Sequence, residues 1–435
     1  MNAPLLPNKA LNMEPRDELN PASAPILRTL LWVTPIIIAT VLAKIAVPPF
    51  GAQGIGIALP VLLAVTALGC VTLQFEFDAR RFVLGSLVLT FLGLSQLLKT
   101  DDFSPSSLVL LTALHVPLLL RLREPQPDMK TVTGFFAFVC AVIAVLAILQ
   151  FALQGHIENN FLFPIENYVP DAFRVQNFNE QAPLEYGSEV MRANGVFMME
   201  PSYLSQLLAI GVVLELVTRN RWWLLLLYVA AMVVSYSGTG FMVLGVCVPL
   251  VLIAQQRWVT LLITVVAAVA FLLAAENFGE ALHLDTFVAR IGEFNSTGSS
   301  GFARFVGGFY LFDQVLWSEP LHALFGVGAG AFKDYAPLAH FPVAEMPLFK
   351  MVLEFGLIGA SLYFSFLFFC LSSSRLPASV AVAVGCTYLL NGLYIPFAHA
   401  LALTLLVWTS KPRIERRIAP HEPVSVFNRF RLLEE

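Results

Sequence analysis

Apolar runs of about twenty residues recur along the whole chain and limit what it can fold into. A helix of that length matches the hydrocarbon core of a bilayer. Twelve such runs lie at about 29–47, 54–74, 82–98, 104–121, 131–153, 195–218, 222–237, 240–255, 258–275, 346–371, 376–391 and 395–409. Only 13% of the residues are charged, about half the fraction that soluble domains carry. We therefore predict an all-α polytopic membrane protein with about 12 transmembrane helices.

The basic residues predict which side of the membrane each loop faces. Loops with cationic clusters such as Arg80-Arg81 alternate with loops that hold few cations, and twelve spans place every cluster on one side. Because cytoplasmic loops carry the excess of lysine and arginine, both termini are predicted to be cytoplasmic. The expected organisation is a cytoplasmic tail at 1–26, a membrane domain at 27–409 and a basic cytoplasmic tail at 410–435.

Two stretches between cytoplasmic cations are predicted to be hairpins. Only 35 residues separate Arg221 from Arg257, and a single helix would put these arginines on opposite sides of the membrane. A turn at Ser235-Tyr-Ser-Gly-Thr-Gly240 keeps both in the cytoplasm, and the same argument makes residues 375–411 a hairpin that turns near 391–396. The arms of the first hairpin are short at about 1.5 Å per residue, so its turn is expected to lie below the outer surface.

Two long loops, at about 154–194 and 276–345, are predicted on the outer side. The first is acidic and aromatic. The second contains a Ser/Gly-rich run and then an aromatic segment from Phe302 to Trp317. Such aromatic density is typical of a helix that lies in the membrane interface.

A charged pair marks the segment that leads from the first outer loop into a span. Arg192 and Glu200 are eight residues apart, and Pro201 suits the first turn of a helix because it has no N–H to donate. Charges where water meets lipid are costly to keep, which favours a functional role for both. The alternative is an anchored helix end, in which Arg192 only snorkels to the headgroups.

Other ionisable residues on the predicted outer side are Arg290, Arg304, Lys333, His340 and Glu345. Arginine binds diphosphate through paired charge-assisted hydrogen bonds, and a carboxylate or a histidine can act as a general base. The alternative is that each is a solvated loop charge or, for Glu345, a carboxylate that stabilises a helix N-terminus. For Arg290 and Lys333 we prefer the solvated loop charge.

Two glycine-containing motifs have structural alternatives. Hydroxyls and free N–H groups in Ser237-Gly-Thr-Gly240 can hold an anion at a helix start, but a plain turn that allows close helix packing fits equally well. Gly326-x-Gly-x-Gly330 follows no strand, so a structural turn fits better than a nucleotide site.

Three charges fall within the spans. Lys44 and Lys350 lie near outer ends and are expected to snorkel, while Glu354 should face the protein interior, where Lys350 at i−4 can pair with it. The five cysteines have no CxxC spacing, so no disulfide framework, metal or cofactor is predicted.

The order of these features resembles the O-antigen ligase and Wzy-type polymerase superfamily over roughly residues 190–360. The matching motifs are Arg192-x-x-Gly-x-Phe, the Ser-rich turn at 235–240, Arg304 ahead of an aromatic segment, Gly-x-Gly at 326–328 and Leu353-Glu-Phe-Gly-Leu-Ile-Gly359. Met199-Glu-Pro-Ser-Tyr203 is similar to exopolysaccharide polymerases, and the chain looks closest to xanthan-type polysaccharide polymerases.

The resemblance implies a polymerase of the bacterial inner membrane. It would join undecaprenyl-diphosphate-linked oligosaccharide repeat units into exopolysaccharide at the periplasmic face and release undecaprenyl diphosphate. The implied partners are the lipid bilayer, a flippase and chain-length and export proteins, without nucleic acid. The residues assigned to the site are Arg192, Arg304, Ser237 and Thr239 for the diphosphate, and Glu345, His340 and Glu200 for proton transfer.

The sequence departs from the family pattern at two places. Family members often have Ser-x-Ser-Arg where this chain has Ser235-Tyr-Ser-Gly238, so no arginine is supplied there. Ligases have His-Asn eleven residues before the glycine that matches Gly356, where this chain has Glu345, with His340 five residues earlier. The identity of the base is therefore left open.

Two other functions remain as alternatives. A lipid-linked oligosaccharide flippase would place paired ionisable residues and broken helices near the bilayer midplane. Here Glu354 is the main deep charge, which favours chemistry at the interface. A ligase to another acceptor differs from the polymerase only in what receives the sugar.

Overall fold

The computed structural model describes residues 23–48, 56–97, 103–176, 178, 180–184, 188–282 and 292–410. Arg290, the chain before Ser23 and the basic tail after Ser410 lie outside these residues. Within them, each of the twelve apolar runs contains a helix. These helices are α1 (Ser23–Thr40), α2 (Ala58–Val71), α3 (Ala79–Leu97), α4 (Pro105–His115), α5 (Met129–Ala152), α6 (Pro201–Thr218), α7 (Trp222–Val234), α8 (Gly238–Ala254), α9 (Trp258–Leu282), α10 (Pro347–Ser372), α11 (Ala378–Leu389) and α12 (Pro396–Ala402).

The predicted all-helical class is confirmed. By length and composition, α5, α6 and α10 can each cross a membrane, and eight of the other nine named helices in the described residues overlap a shorter apolar helix of 10–17 residues. Short helices fill the long loops at Asn159–Leu162, Pro164–Tyr168, Asp171–Phe173, Glu293–Asn295, Ser300–Phe305, Gly307–Leu311, Phe312–Leu316, Pro320–Phe325, Phe332–Tyr335 and Ala336–Ala339. Strands β1 (Phe75–Phe77) and β2 (Leu120–Leu122) form one antiparallel pair.

Helix α6 lies at the centre of the bundle. Every side chain from Pro201 to Glu215 is buried. The helix packs against α5, α7, α8 and α11. A helix that is apolar nearly all round is stable only when neighbours cover every face. The segment that carries Arg192 and Glu200 therefore leads directly into a helix that is buried on every face over most of its length.

Each predicted hairpin contains two helices joined by a turn at the predicted place, and in the first of them α7 and α8 both pack against α6. α7 ends at Val234 and α8 begins at Gly238, and the second hairpin turns between the end of α11 and Pro396. α11 has 12 residues and so rises roughly 18 Å, well short of a hydrocarbon core of about 30 Å. Its turn lies inside the bundle, where the buried Asn391 donates from Nδ2 to Gln206 Oε1 of α6 over 2.8 Å.

Helix α10 is broken at Gly356, where φ is 69° and ψ is −177°. The break frees backbone carbonyls, and the loop at Gly326–Gly330 satisfies two of them. Val327 N–H donates to Leu353 O over 2.9 Å, and Gly328 N–H donates to Glu354 O over 3.1 Å. The glycine motif is thus a structural turn that caps a broken helix, as predicted.

The bundle has two ends. At one of them the buried Arg81 of α3 donates to the carbonyls of Leu120 (3.1 Å) and Val407 (3.0 Å) and to Ser373 Oγ (2.9 Å). These bonds tie α3, β2, the end of α10 and the π-helical segment Leu403–Val407 after α12 together. The opposite end, where α6 and α10 begin, holds the candidate residues and is called the site end below.

The aromatic segment differs from the single interfacial helix that we predicted. It is divided into Ser300–Phe305, Gly307–Leu311 and a π-helical turn, Phe312–Leu316. Glycine favours the break, and at Gly308 the backbone lies against the ring of Phe349 so closely that a Cβ would stand 2.1 Å from its Cγ. The break lets the segment pack onto α10.

Candidate functional site

An ion pair joins Glu200, at the start of α6, to Arg304 of the second long loop. Arg304 Nη2 and Glu200 Oε2 are 2.8 Å apart, and the two side chains are 21% and 10% exposed. In sequence the residues are 104 positions apart. Glu200 directly precedes the first helical residue, and a carboxylate there interacts favourably with the helix dipole. The start of α6 therefore fixes the carboxylate to which Arg304 binds.

A cluster of hydroxyl groups lies beside this ion pair. Ser202 donates from Oγ to Glu200 Oε2 over 2.9 Å. On the facing helix, Thr239 Oγ1 lies 3.0 Å from Ser237 Oγ and 3.2 Å from Ser205 Oγ. All four hydroxyl residues are buried. The predicted residues Ser237 and Thr239, at the start of α8, therefore lie next to the start of α6, where Glu200 is.

Arg192 lies near this cluster but makes different contacts. Its Nη2 donates to the carbonyl oxygen of Leu184 over 3.1 Å. The next residue, Ala193, donates its N–H to the carbonyl of Val234 at the end of α7 over 3.2 Å. The Arg192 segment thus adjoins the α7–α8 turn. Glu200 forms an ion pair with Arg304, and the hypothesis that Arg192 and Glu200 act as one unit stays a prediction.

Glu345 belongs to a second charged group, on α10. Lys350 Nζ lies 2.9 Å from a carboxylate oxygen of Glu345 and 2.9 Å from one of Glu354. The predicted i, i+4 pairing of Lys350 with Glu354 is confirmed. The expectation that Lys350 snorkels is wrong, because its side chain is 1% exposed and packs near the rings of Phe332 and Tyr394. Glu345 is 34% exposed and is the accessible member of the group.

A backbone hydrogen bond joins the two segments that carry these charged groups. Ala344 N–H donates to the carbonyl of Ala303 over 2.9 Å, which places the residues before Glu345 and Arg304 side by side. His340 is less directly connected. It is exposed with a left-handed backbone (φ 56°), and in the described part of the chain no hydrogen bond links its ring to Glu200 or Arg304. A backbone hydrogen bond thus connects the Glu345 segment to the Arg304 segment, and the ring of Phe341, next to His340, packs on Phe302 of the same segment.

The sequence interpretation missed a buried polar network under the first outer loop. Lys44, which was expected to snorkel, is 0% exposed and forms an ion pair with Glu166. Its Nζ also donates to the carbonyl of Val196 over 2.7 Å. No local pattern could have shown this, because 122 positions separate Lys44 from Glu166.

Glu180 of the same loop is also buried. Arg174 donates to its Oε2 over 2.9 Å and also bonds to Asp171. Burial raises the pKa of Glu180 above its ordinary value, although the nearby charges of Lys44 and Arg174 act in the opposite direction. The protonated form of Glu180 is therefore favoured more in the folded loop than in an unfolded chain.

A second missed feature is a chain of four buried aromatic residues at the centre of the bundle. His115 Nε2 lies 2.8 Å from the Tyr363 hydroxyl, which bonds to the Tyr388 hydroxyl. That hydroxyl lies 3.3 Å from His399 Nε2. The four residues come from α4, α10, α11 and α12, and the ring centroids of His115 and His399 lie 5.3 Å apart, so the four side chains form one compact cluster. Two isolated histidines in apolar runs gave no signal of it in the sequence.

The site end thus combines one guanidinium, two carboxylates of different exposure and a hydroxyl cluster. Such a set can hold an anionic group and accept a proton. In the described part of the chain, no three His, Cys, Asp or Glu side chains are placed to hold a metal ion. No protein-family model matches this chain, and no curated protein sequence is similar to it.

Proposed function

We propose that this protein polymerises lipid-diphosphate-linked oligosaccharide repeat units by glycosyl transfer at the outer face of the membrane. The observation that carries the proposal is the Arg304–Glu200 ion pair, which lies beside four hydroxyl residues at the site end. A charged pair that is largely withdrawn from water at the end of a membrane bundle is costly and indicates a function. The resemblance of the surrounding motifs to polysaccharide polymerases gives the reaction class.

The chemistry fits the groups present. A hydroxyl of the incoming repeat unit attacks the anomeric carbon of the donor chain, and the bond from that carbon to the diphosphate oxygen breaks. Undecaprenyl diphosphate leaves with the electron pair, and the acceptor proton passes to a base. Arg304 has five N–H donors, of which the bond to Glu200 engages one nitrogen, so its planar fork can still bind phosphate oxygens. Glu345 is our candidate for the base, because it is the more exposed carboxylate.

We place the site end at the periplasmic face and both tails in the cytoplasm. The basic side chains support this placement. Arg81 lies at the opposite end of the bundle, where Arg219 donates from Nη2 to the carbonyl of Lys130 over 2.7 Å and Arg221 pairs with Glu215. Because cytoplasmic ends carry the excess of cations, that end faces the cytoplasm.

The test is reconstitution with authentic substrate. Lipid-linked repeat units are extracted from producing cells that lack this protein, mixed with the purified protein in lipid vesicles, and sized on gels. We expect a ladder of lengthened chains and release of one undecaprenyl diphosphate for each linkage. Arg304→Ala should abolish the ladder, whereas Lys333→Ala, which removes an exposed cation of the same loop, should not. If the parental protein leaves every repeat unit at its original length, the proposal is wrong.

A flippase is the second candidate, and two features of the structure favour it. The buried chain from His115 to His399 and the break in α10 at Gly356 are features that transporters place inside the membrane. The same vesicles separate the two functions. A flippase changes the side on which the oligosaccharide is accessible without lengthening it, whereas a polymerase lengthens it.

A further inference from the structure

We infer that Gln150 and Asn194 are positioning residues, which lock a strained turn at 194–196 and thereby aim Glu200 at Arg304. The inference rests on the proposed function, because it assigns the part that these residues play in the same site. Neither side chain belongs to the ion pair, and Gln150 lies on a different helix, α5.

Side chains hold the backbone of this turn. Gln150 Oε1 accepts the N–H groups of both Asn194 (2.9 Å) and Gly195 (3.0 Å). Lys44 Nζ donates to the carbonyl of Val196 over 2.7 Å. Gln150 and Lys44 are buried, so water does not compete for these bonds. Three consecutive residues are therefore fixed from two separate parts of the chain, helix α5 and the segment that follows α1.

The Asn194 side chain completes the lock. Its Oδ1 accepts from Gln150 Nε2 and from the N–H of Val196, each over 3.0 Å. Its Nδ2 donates to Glu166 Oε1 and to the carbonyl of Glu180, each over 2.8 Å. An asparagine amide has two donors and two acceptor sites, and here all four are used. Since Asn194 is 0% exposed, a replacement would leave several buried groups without partners.

The locked turn is strained. Gly195 and Val196 both have a left-handed backbone, with φ of 66° and 69°. Glycine adopts this conformation freely, but a β-branched residue such as Val196 rarely does. Strain of this kind persists only where the surroundings over-determine the backbone, and it concentrates at functional sites. A plain connection between a loop and a helix would not need it.

The turn leads directly to the ion pair. Met198 N–H donates to the carbonyl of Asn194 over 3.2 Å, so the hydrogen-bonded turn continues toward α6. Glu200 then adopts an extended backbone, with φ of −142°, just before Pro201. With α6 packed on every side, the direction of the Glu200 side chain depends on how the chain arrives at it. A catalytic pair tolerates little displacement, so loosening the turn should cost rate.

The competing explanation is that the network only anchors the first outer loop. Val196→Gly separates the two explanations, because glycine removes the strain without removing any hydrogen bond. If the turn is only an anchor, this variant keeps the parental kcat. If the turn aims Glu200, the relaxed chain loses kcat although its Tm is unchanged or higher.

Gln150→Leu and a matched control complete the experiment. Gln154 lies four residues further along the chain, just beyond the end of α5, and its amide bonds to the backbone of Met191 in the same loop (2.6 and 2.8 Å). We expect Gln150→Leu to lower kcat at least tenfold with KM changed less than about threefold, and Gln154→Leu to leave both within about threefold. Full kcat in both Val196→Gly and Gln150→Leu would overturn the inference.

A second readout needs no activity. The Tm values of Glu200→Gln, Arg304→Ala and the double variant give the coupling between the two side chains. We expect a measurable coupling between Glu200 and Arg304 in the parental protein. We expect no coupling when the same three variants are made in Gln150→Leu. An unchanged coupling would contradict the inference, even if the vesicle assay had shown no polymerisation. If the coupling is lost while the parental protein never lengthens a chain, the positioning stands and the proposed function fails.

Discussion

Gly240 of α8 lies directly against the backbone of Ser205 on α6. A Cβ at position 240 would stand 2.3 Å from the Ser205 carbonyl oxygen and 2.5 Å from its carbonyl carbon. The Gly240 N–H donates to Ser205 Oγ over 3.2 Å. This close approach is what allows Thr239 and Ser205 to share a hydrogen bond. The packing interpretation of the Ser/Gly turn is therefore supported at the same place as the hydroxyl cluster.

We predict that Gly240→Ala destabilises the protein and separates α6 from α8. Backbone cannot move aside as a flexible side chain does, so we expect a cost of about 1–3 kcal/mol, typical of overpacking. The control is Gly245→Ala on the same helix, where no atom lies within 4 Å of the added Cβ. Thermal unfolding in detergent should show a lower Tm for Gly240→Ala only. Equal Tm values for the two variants would contradict the close approach.

Arg304 is expected to lose function when it is replaced by lysine, although the charge is kept. Lysine cannot present the planar fork that binds a carboxylate and a phosphate together. Product sizing in the vesicle assay should show about a tenfold or greater loss for Arg304→Lys and a larger loss for Arg304→Ala. The effects of Glu200→Gln and Arg304→Ala should be non-additive, because the side chains are in direct contact. Normal polymer yield from Arg304→Ala at equal protein level would remove this residue from the site.

The parts of the fold that were predictable are those with a local cause. Helix positions follow from apolar runs, the first hairpin turn follows from Ser235–Gly240, and the Lys350–Glu354 pair follows from i, i+4 spacing. The Glu200–Arg304 pair was not predictable in this way. The two residues were candidates on chemical grounds, but Glu200 was matched to Arg192, which is near in sequence.

Interior contacts between residues far apart in the sequence could not be predicted either. Lys44 was expected to snorkel because a lone lysine near a span end usually does. Its buried partner, Glu166, comes from a loop that has no regular pattern. Likewise, His115 and Tyr363 are 248 positions apart, and nothing in either apolar run marks the other as its partner. Such pairs are fixed by helix packing, which one sequence does not encode locally.

The proposed orientation predicts which exposed positions a membrane-impermeant reagent reaches from the outside. Thr297 is exposed in the second long loop, and Ser372 is exposed at the far end of α10. In a background with the native cysteines replaced, Thr297→Cys should be labelled in intact cells and Ser372→Cys only after the membrane is opened. The reverse pattern would place the candidate site in the cytoplasm and end the polymerase proposal.

Glu180 should make stability depend on pH. Because its pKa is raised in the folded protein, the native state binds this proton more tightly than the unfolded state does. That contribution is present at low pH and is lost as the pH rises through the raised value. The glutamine of Glu180→Gln stays neutral at every pH. The Tm of this variant, relative to that of the parental protein, should therefore rise between about pH 4 and about pH 8. Glu189→Gln, an exposed control in the same loop, should show no such trend. A constant difference would mean that Glu180 keeps its ordinary pKa.

The last prediction concerns which carboxylate takes the acceptor proton. Glu200 Oε2 already accepts from Arg304 and Ser202, an arrangement that suits holding a cation in place. Glu345 is more exposed, and Lys350 holds it from the protein side. We therefore expect Glu345→Gln to lower kcat by about 100-fold or more, the usual loss for a general base, with little change in KM.

The measurement is the rate of chain lengthening at saturating repeat unit, with protein level checked in each vesicle preparation. The glutamine of Glu345→Gln can still accept from Lys350, so the fold should persist. Asp334→Asn, an exposed carboxylate of the same loop, serves as the control and should be fully active. Glu200→Gln should lose less kcat than Glu345→Gln, because it releases Arg304 but leaves the base in place. If Glu345→Gln lengthens chains at the parental rate, Glu345 is not the base, and His340→Asn and Glu200→Gln become the variants that decide the proton acceptor.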